Sequence, residues 1–225
     1  MIGDEIVVKP HHTKAAKNVY NKIKDKILDS NENEKGNVVT IAVAGESGSG
    51  KSETATEIAR LFKENHNLPH VVFHQDDYFV YPPKSNDQRR KENIHQIEKA
   101  VGTHEVKLEL LDKHLSYIKD PDVKRIKKPL VDFHNDKVLS EEYDLEGVKL
   151  VVAEGTYTTS LSNADIKVFI DKDYKDTLEH RKERARDELD ENTDKILQIE
   201  HEIISKHKEQ AHVIVPKEPK ESQEE

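Results

Sequence analysis

The segment Gly45-Glu46-Ser47-Gly48-Ser49-Gly50-Lys51-Ser52 constrains this chain more than any other. It follows the apolar, β-branched run Val38-Val39-Thr40-Ile41-Ala42-Val43-Ala44. It precedes a stretch in which Ala55, Ile58, Ala59, Leu61 and Phe62 recur at helical spacing. Strand, glycine turn and helix in that order turn the free N–H groups of the first helical turn toward one point, where they can converge on a phosphate. Glycines at 45, 48 and 50 let the backbone close around such a group without side-chain obstruction. Lys51 then supplies a point charge for β- and γ-phosphates, and the Ser52 hydroxyl suits a magnesium ion bridging the same oxygens. Glu46, Ser47, Ser49 and Thr54 complete the residues expected at the nucleotide.

The remaining apolar runs extend this unit. His70 to His74, Val148 to Ala153, Ile166 to Ile170 and His212 to Val215 have the length and Val/Ile content of buried parallel strands, so five strands with intervening helices predict an α/β sandwich. An amphipathic helix is expected from Thr13 to about Ser30, with Thr13 as its cap, and another around Glu105 to Lys119. A hairpin is expected near Lys127 to Leu139, turning at Asn135-Asp136. The division that results is an N-terminal helix and linker over 1–37, a main domain over 38–216 with an insertion at about 81–144, and a charged tail over 217–225 expected to be disordered.

Composition narrows the partners. Against 36 Lys and Arg stand 45 Asp and Glu, a net charge of -9, which argues against a broad basic surface for nucleic acid. The absence of cysteine removes disulfides, thiolate zinc sites and cysteine nucleophiles. The first ten residues lack the apolar run of a secretory signal, and no stretch approaches a membrane span, so a cytoplasmic protein without membrane contact is expected. Thirteen histidines invite a metal reading, but His201-Glu202-Ile203-Ile204-Ser205 lacks the second histidine of a zinc helix, and the His11-His12 pair reads as solvated.

Just beyond the second strand stands Gln75-Asp76-Asp77-Tyr78-Phe79, at a strand end where ligands collect in open α/β sheets. With the loop GESGSGKS, this element resembles the uridine kinase and phosphoribulokinase family. The resemblance continues at Lys128-Pro129-Leu130-Val131-Asp132-Phe133, similar to the family's acceptor-side PxYDF element, and at Val151-Val152-Ala153-Glu154-Gly155, similar to its FEG strand end. Phe169-Ile170-Asp171 resembles the FVD strand, Leu178, Arg181 and Arg184 the LxxRxxR lid, and Ala211 to Pro216 the ADVIIP strand.

The resemblance implies a P-loop NTPase-type three-layer sandwich around a mostly parallel sheet, with a helical arginine lid at about 174–190 and an acceptor-side insertion. It implies ATP and magnesium as cofactors and phosphoryl transfer to a small-molecule hydroxyl. Asp76 would be the base and a magnesium ligand with Ser52 and Glu154. Lys51, Arg181 and Arg184 would supply charge to the transferring group, and Asp76, Tyr78, Asp132 and Phe133 would meet the acceptor. Asp77 reads as an alternative magnesium ligand or a cap.

Two departures keep the acceptor open. Val131 stands where the family has tyrosine, and the DHPxAFD segment of uridine kinases is absent. Pro82-Pro83-Lys84, Arg89-Arg90-Lys91 and Val101 to Val106 replace it, which would suit an anionic acceptor, although the Arg89 run reads first as a solvated connector. Nucleosides, sugar phosphates and small acids such as pantothenate or glycerate therefore remain candidates. From another class, a regulatory nucleotide-binding protein without productive transfer, or an NTPase coupled to a partner, is also compatible. A homo-oligomer is compatible with the sequence too.

Overall fold

Five parallel strands lie in the order β2-β5-β1-β6-β7, built from β1 (Val39–Gly45), β2 (His70–His74), β5 (Leu150–Glu154), β6 (Ile166–Ile170) and β7 (Val213–Val215). The computed structural model describes residues 1–3, 5–33, 37–178, 181 and 191–217. The expected tail beyond 217, and most of the expected lid including Arg184, lie outside the described residues.

Alternation along the strands decides the layers. Ile41 and Val43 face one side and Ala42 and Ala44 the other, because successive side chains in a strand point to opposite faces. The first face is covered by α1 (Pro10–Asn33) and α2 (Lys51–His66), which bury Ala16, Val19, Ile23, Ile27, Ile58 and Phe62. The second face is covered chiefly by α5 (Leu108–Lys119), whose Leu111, Leu115 and Ile118 pack against Phe73, Val151, Ala153 and Phe169. Each fully buried Leu, Ile or Phe contributes about 1.5–3 kcal/mol of transfer free energy, so both faces stabilise the sheet. This is a three-layer α/β sandwich.

Register positions the site. Val43 is level with Glu154, His74 is level with Glu154, and Gly45 is level with Ile170. The C-terminal ends of β1, β2 and β5 thus finish together, which brings the glycine loop, Asp76 and Glu154 to one edge of the sheet.

Beside the sheet, β3 (Arg125–Asp132) and β4 (Lys137–Asp144) form an antiparallel hairpin that turns through Asp136 at φ +50°. The Asp132 carboxylate accepts the Asn135 backbone N–H at 3.0 Å and its side-chain N–H at 2.7 Å, which fixes the turn. Asp77 anchors the hairpin to the end of β2: Oδ1 accepts the Val131 N–H at 3.0 Å and Oδ2 lies 3.2 Å from Lys128 Nζ. Between Asp77 and α5 the chain forms α3 (Pro83–Glu92) and the short α4 (Ile97–Ala100), and after the lid region α6 (Glu191–His207) packs Ile196 and Ile199 on Ile97 and Val101.

Two local expectations are corrected. The first helix starts at Pro10 rather than at Thr13, because the Lys9 carbonyl already accepts the His12 and Thr13 N–H groups while His12 Nδ1 accepts the Lys9 N–H at 3.1 Å. His12 is consequently buried, not solvated, with its ring against Gly50.

Candidate active site

The glycine loop takes the conformations that its composition permits. Gly48 sits at φ +74° and Gly50 at φ +89°, the left-handed region that costs other residues about 1–2 kcal/mol. A Cβ on Gly48 would lie 2.8 Å from Arg181 Cγ, and one on Gly50 would lie 2.8 Å from the His12 ring. Gly50 caps α2, so the first free N–H groups of that helix open onto the loop. Lys51 Nζ lies across the loop and donates to the Glu46 carbonyl at 3.1 Å.

Arg181 is the arginine of the expected lid motif that the structure describes. It is buried, with Nη2 donating to the Tyr174 carbonyl at 2.9 Å, while its Nε and Nη1 are buried without a partner among the described residues. Thr177, one turn earlier, donates from its hydroxyl to the Ser47 carbonyl at 2.8 Å and so ties this segment to the loop. A buried guanidinium with two unanswered donor positions beside a nest of amides is matched to an anion.

Carboxylates stand across from these donors. Glu154, at the end of β5, is buried and its Oε1 lies 2.7 Å from His74 Nδ1. Burial opposes its charge, but the His74 hydrogen bond and charge, Lys51 and the Ser52 hydroxyl together hold its pKa low. Burial and the charge of Glu154 push Asp76 the other way, upward, against Lys51 and His74. The two neighbouring acids are therefore shifted in opposite directions. His74 is itself raised, since the Glu154 carboxylate outweighs its desolvation. Gln75 holds the adjoining loop, accepting the Tyr157 N–H at 2.8 Å and donating to the Thr156 hydroxyl at 2.9 Å.

A cavity of about 250 Å³ joins these groups. Ser47, Gly48, Lys51, Ser52, Asp76, Phe133, Glu154 and Arg181 all line it. Gly45, Glu46, Ser49 and Gly50 belong to the loop without lining the cavity, and Tyr78, Asp132 and Thr54 are held elsewhere. Tyr78 is fully buried under α5, its hydroxyl 2.9 Å from His114 Nδ1, so it is a core residue rather than an acceptor contact. Asp132 is engaged by the hairpin turn, as described above. Thr54 points to a second cavity with His11, His12 and Val215, on the α1 side of the loop. Asp77, considered as a magnesium ligand, is taken up by Val131 and Lys128 instead.

Sequence reasoning missed a second cluster on the α3–α6 wall of the same cavity. Arg90 donates from Nε to Glu105 at 2.7 Å and from Nη2 to Glu200 at 3.0 Å, and Asn86 and Tyr157 lie beside them. Val101 to Val106, which holds Glu105, and Arg89-Arg90-Lys91 had stood out in the sequence, but the latter as a solvated connector; Arg90 is instead 12% exposed and paired with Glu105 and Glu200. Glu46 is likewise buried, with Oε1 on His201 Nδ1 and its pKa raised by desolvation.

The sheet order and the loop-to-helix geometry define an α/β protein of the phosphate-loop kinase fold. The chain belongs to the Phosphoribulokinase / Uridine kinase family, whose model matches residues 40–223. A uridine kinase of Ureaplasma parvum is 36% identical over 138 residues, 59% of this chain and 62% of that relative, so the chain spans under two thirds of its length. The bifunctional alpha-galactosidase/sucrose kinase AgaSK of Mediterraneibacter gnavus is 29% identical over 91% of the chain and 22% of its own length. In fold, phosphoribulokinase from Rhodobacter spheroides superposes with a TM-score of 0.56 at 14% identity, covering 79% of this chain and 69% of that one. No helix among the described residues is long and apolar enough to cross a membrane.

Proposed function

We propose that the chain is a kinase that uses ATP and magnesium to phosphorylate a hydroxyl of a small nucleoside-like or sugar-like acceptor. The observation that carries this reading is the convergence of Lys51, Ser52, Asp76, Glu154 and Arg181 on one cavity. The residues fit a triphosphate: Arg181 Nε and Nη1 are buried donors without partners, and Gly48 and Gly50 leave room where a Cβ would clash.

Lys51, Arg181 and the amides from Ser47 to Ser52 would hold the phosphates, and Arg184 would join them from the lid. Ser52 with Asp76 or Glu154 would hold magnesium, which when bound offsets charge on the phosphate oxygens. Asp76 accepts the acceptor's hydroxyl proton, a task for which its raised pKa suits it. Lys51 and Arg181 supply fixed positive charge over the transferring group, and the lid segment that carries Arg181 excludes water from it. Two relatives support this acceptor class by name, the uridine kinases and the sucrose kinase portion of AgaSK.

ADP release measured with ATP, magnesium and a panel of acceptors tests the reading. Lys51→Ala should abolish turnover, and Asp76→Asn should keep ATP binding while lowering transfer by about 100-fold or more. ATP binding without stimulation by any acceptor would identify a nucleotide-binding regulator and refute the kinase.

A further inference from the structure

The α3–α6 wall of the cavity carries polar groups that phosphate binding does not use. Glu105 is 1% exposed and takes four hydrogen bonds, from Arg90 Nε at 2.7 Å, Arg90 Nη2, Asn86 Nδ2 and the Gly102 N–H at 2.8 Å each. Arg90 therefore faces two carboxylates, Glu105 and Glu200, which together outweigh its charge. Lys84, exposed and also lining the cavity from α3, donates to the His134 carbonyl at 3.2 Å. At Arg90 itself, among the described residues, an acceptor's phosphate or carboxylate would meet carboxylates and no free cation. Arg89 offers none either, since it lies on the outside over the Tyr81 ring.

The same bonding leaves acceptors open. A carboxylate only accepts, so Asn86 must turn its NH₂ toward Glu105, and its buried Oδ1 is left with no donor. Glu200 gives Oε1 to Arg90, and its second oxygen takes no hydrogen bond among the described residues. Arg90 engages Nε and Nη2, which leaves Nη1 as a donor on the same wall. Two acceptors and a donor, with Tyr157, Ile196 and Leu197 as apolar flanks, match groups that both donate and accept without charge. Hydroxyls are such groups, and a polyol presents several of them side by side. An ammonium would donate only and would meet the Arg90 guanidinium.

We propose that Asn86, Arg90 and Glu200 form the recognition surface for the hydroxyls of an uncharged polyol, and that this surface turns away acceptors already carrying an anionic group. The inference rests on the kinase reading only in taking that polyol as the phosphoryl acceptor. The polyol hydroxyls could belong to a free sugar or to the ribose of a nucleoside, and the two sources share this chemistry.

Two measurements on the full chain test it. Ligand-observed NMR, with a non-hydrolysable ATP analogue present, follows binding of fructose, uridine, 2′,3′-dideoxyuridine, ribulose 5-phosphate and glycerate. Fructose or uridine should bind, and neither anionic compound should compete; if uridine binds, removal of its diol should abolish the signal. Steady-state kinetics then compares the parent with Glu200→Gln, which should raise the KM of the bound acceptor about 10- to 140-fold, the worth of a hydrogen bond to a charged group, while changing kcat and the KM for ATP far less. Preference for an anionic acceptor, binding of neither polyol, or an unchanged acceptor KM in Glu200→Gln overturns the proposal. Binding without turnover keeps this surface and refutes the kinase reading, so the two failures are separable.

Discussion

Gly48→Ala probes the point where the glycine loop meets Thr177 and Arg181. Alanine at φ +74° carries a left-handed backbone cost of about 1–2 kcal/mol. At roughly 2–4 °C per kcal/mol for a chain of this size, that alone lowers Tm by about 2–8 °C. The new methyl would also stand 2.8 Å from Arg181 Cγ and 3.1 Å from Thr177 Cβ, inside the roughly 3.5–4.0 Å at which carbons pack. Arg181 must swing away, and the phosphates lose its donors. One hydrogen bond to a charged group is worth about 1.5–3 kcal/mol, so ATP affinity should fall about 10- to 140-fold. Gly147 provides the control, because it shares the left-handed conformation at φ +76° but has nothing within 4 Å of an added Cβ. Melting curves and calorimetric titration with an ATP analogue, run on both variants, separate the two effects. Equal ATP affinity in Gly48→Ala and Gly147→Ala would refute the coupling of loop to Arg181.

Tyr78→Phe should cost about 1–2 kcal/mol in urea unfolding through loss of the His114 hydrogen bond and leave acceptor KM unchanged; a shifted KM would return Tyr78 to the acceptor site. Asp77→Ala strips Lys128 of its buried partner while leaving it Glu141, so a loss near about 3 kcal/mol is expected in denaturant titration, with the magnesium dependence of nucleotide binding unaltered. Glu105 is held below its ordinary 4.5: burial opposes its charge, but Arg90, Gly102 and Asn86 outweigh it. Its contribution is therefore full above that value and disappears as pH falls through the depressed folded pKa. Glu105→Gln should be less stable at neutral pH and should lose less additional stability on acidification, read as urea midpoints across the acid range.

Local chemistry made the phosphate loop readable. Three glycines, a lysine and a serine at fixed spacing between an apolar strand and an amphipathic helix define a backbone conformation without help from the rest of the chain, and the five strands followed from runs of Val and Ile too short for helices. Asp76 could be placed at the site as well, since it follows directly on a strand end, where such sheets gather ligands; Glu154 entered through the resemblance of Val151 to Gly155 to the family's strand end. Residues whose side-chain direction depends on a partner were not readable. Tyr78 and Asp77 sit beside Asp76 in sequence, yet one points into the core beneath α5 and the other into the hairpin, because His114 and Lys128 wait there. Asn86, Arg90, Glu105 and Glu200 show the same limit from the other side: Arg90 and Glu105 stood in segments that the sequence singles out, yet nothing in it pairs them with each other or with Asn86 and Glu200. Only the packing of α6 against α4 through Ile196 and Ile97 sets Glu200 before Arg90. Sequence fixes what the backbone does over a few residues, whereas pairing of buried charge is decided by which distant segments the apolar contacts bring together.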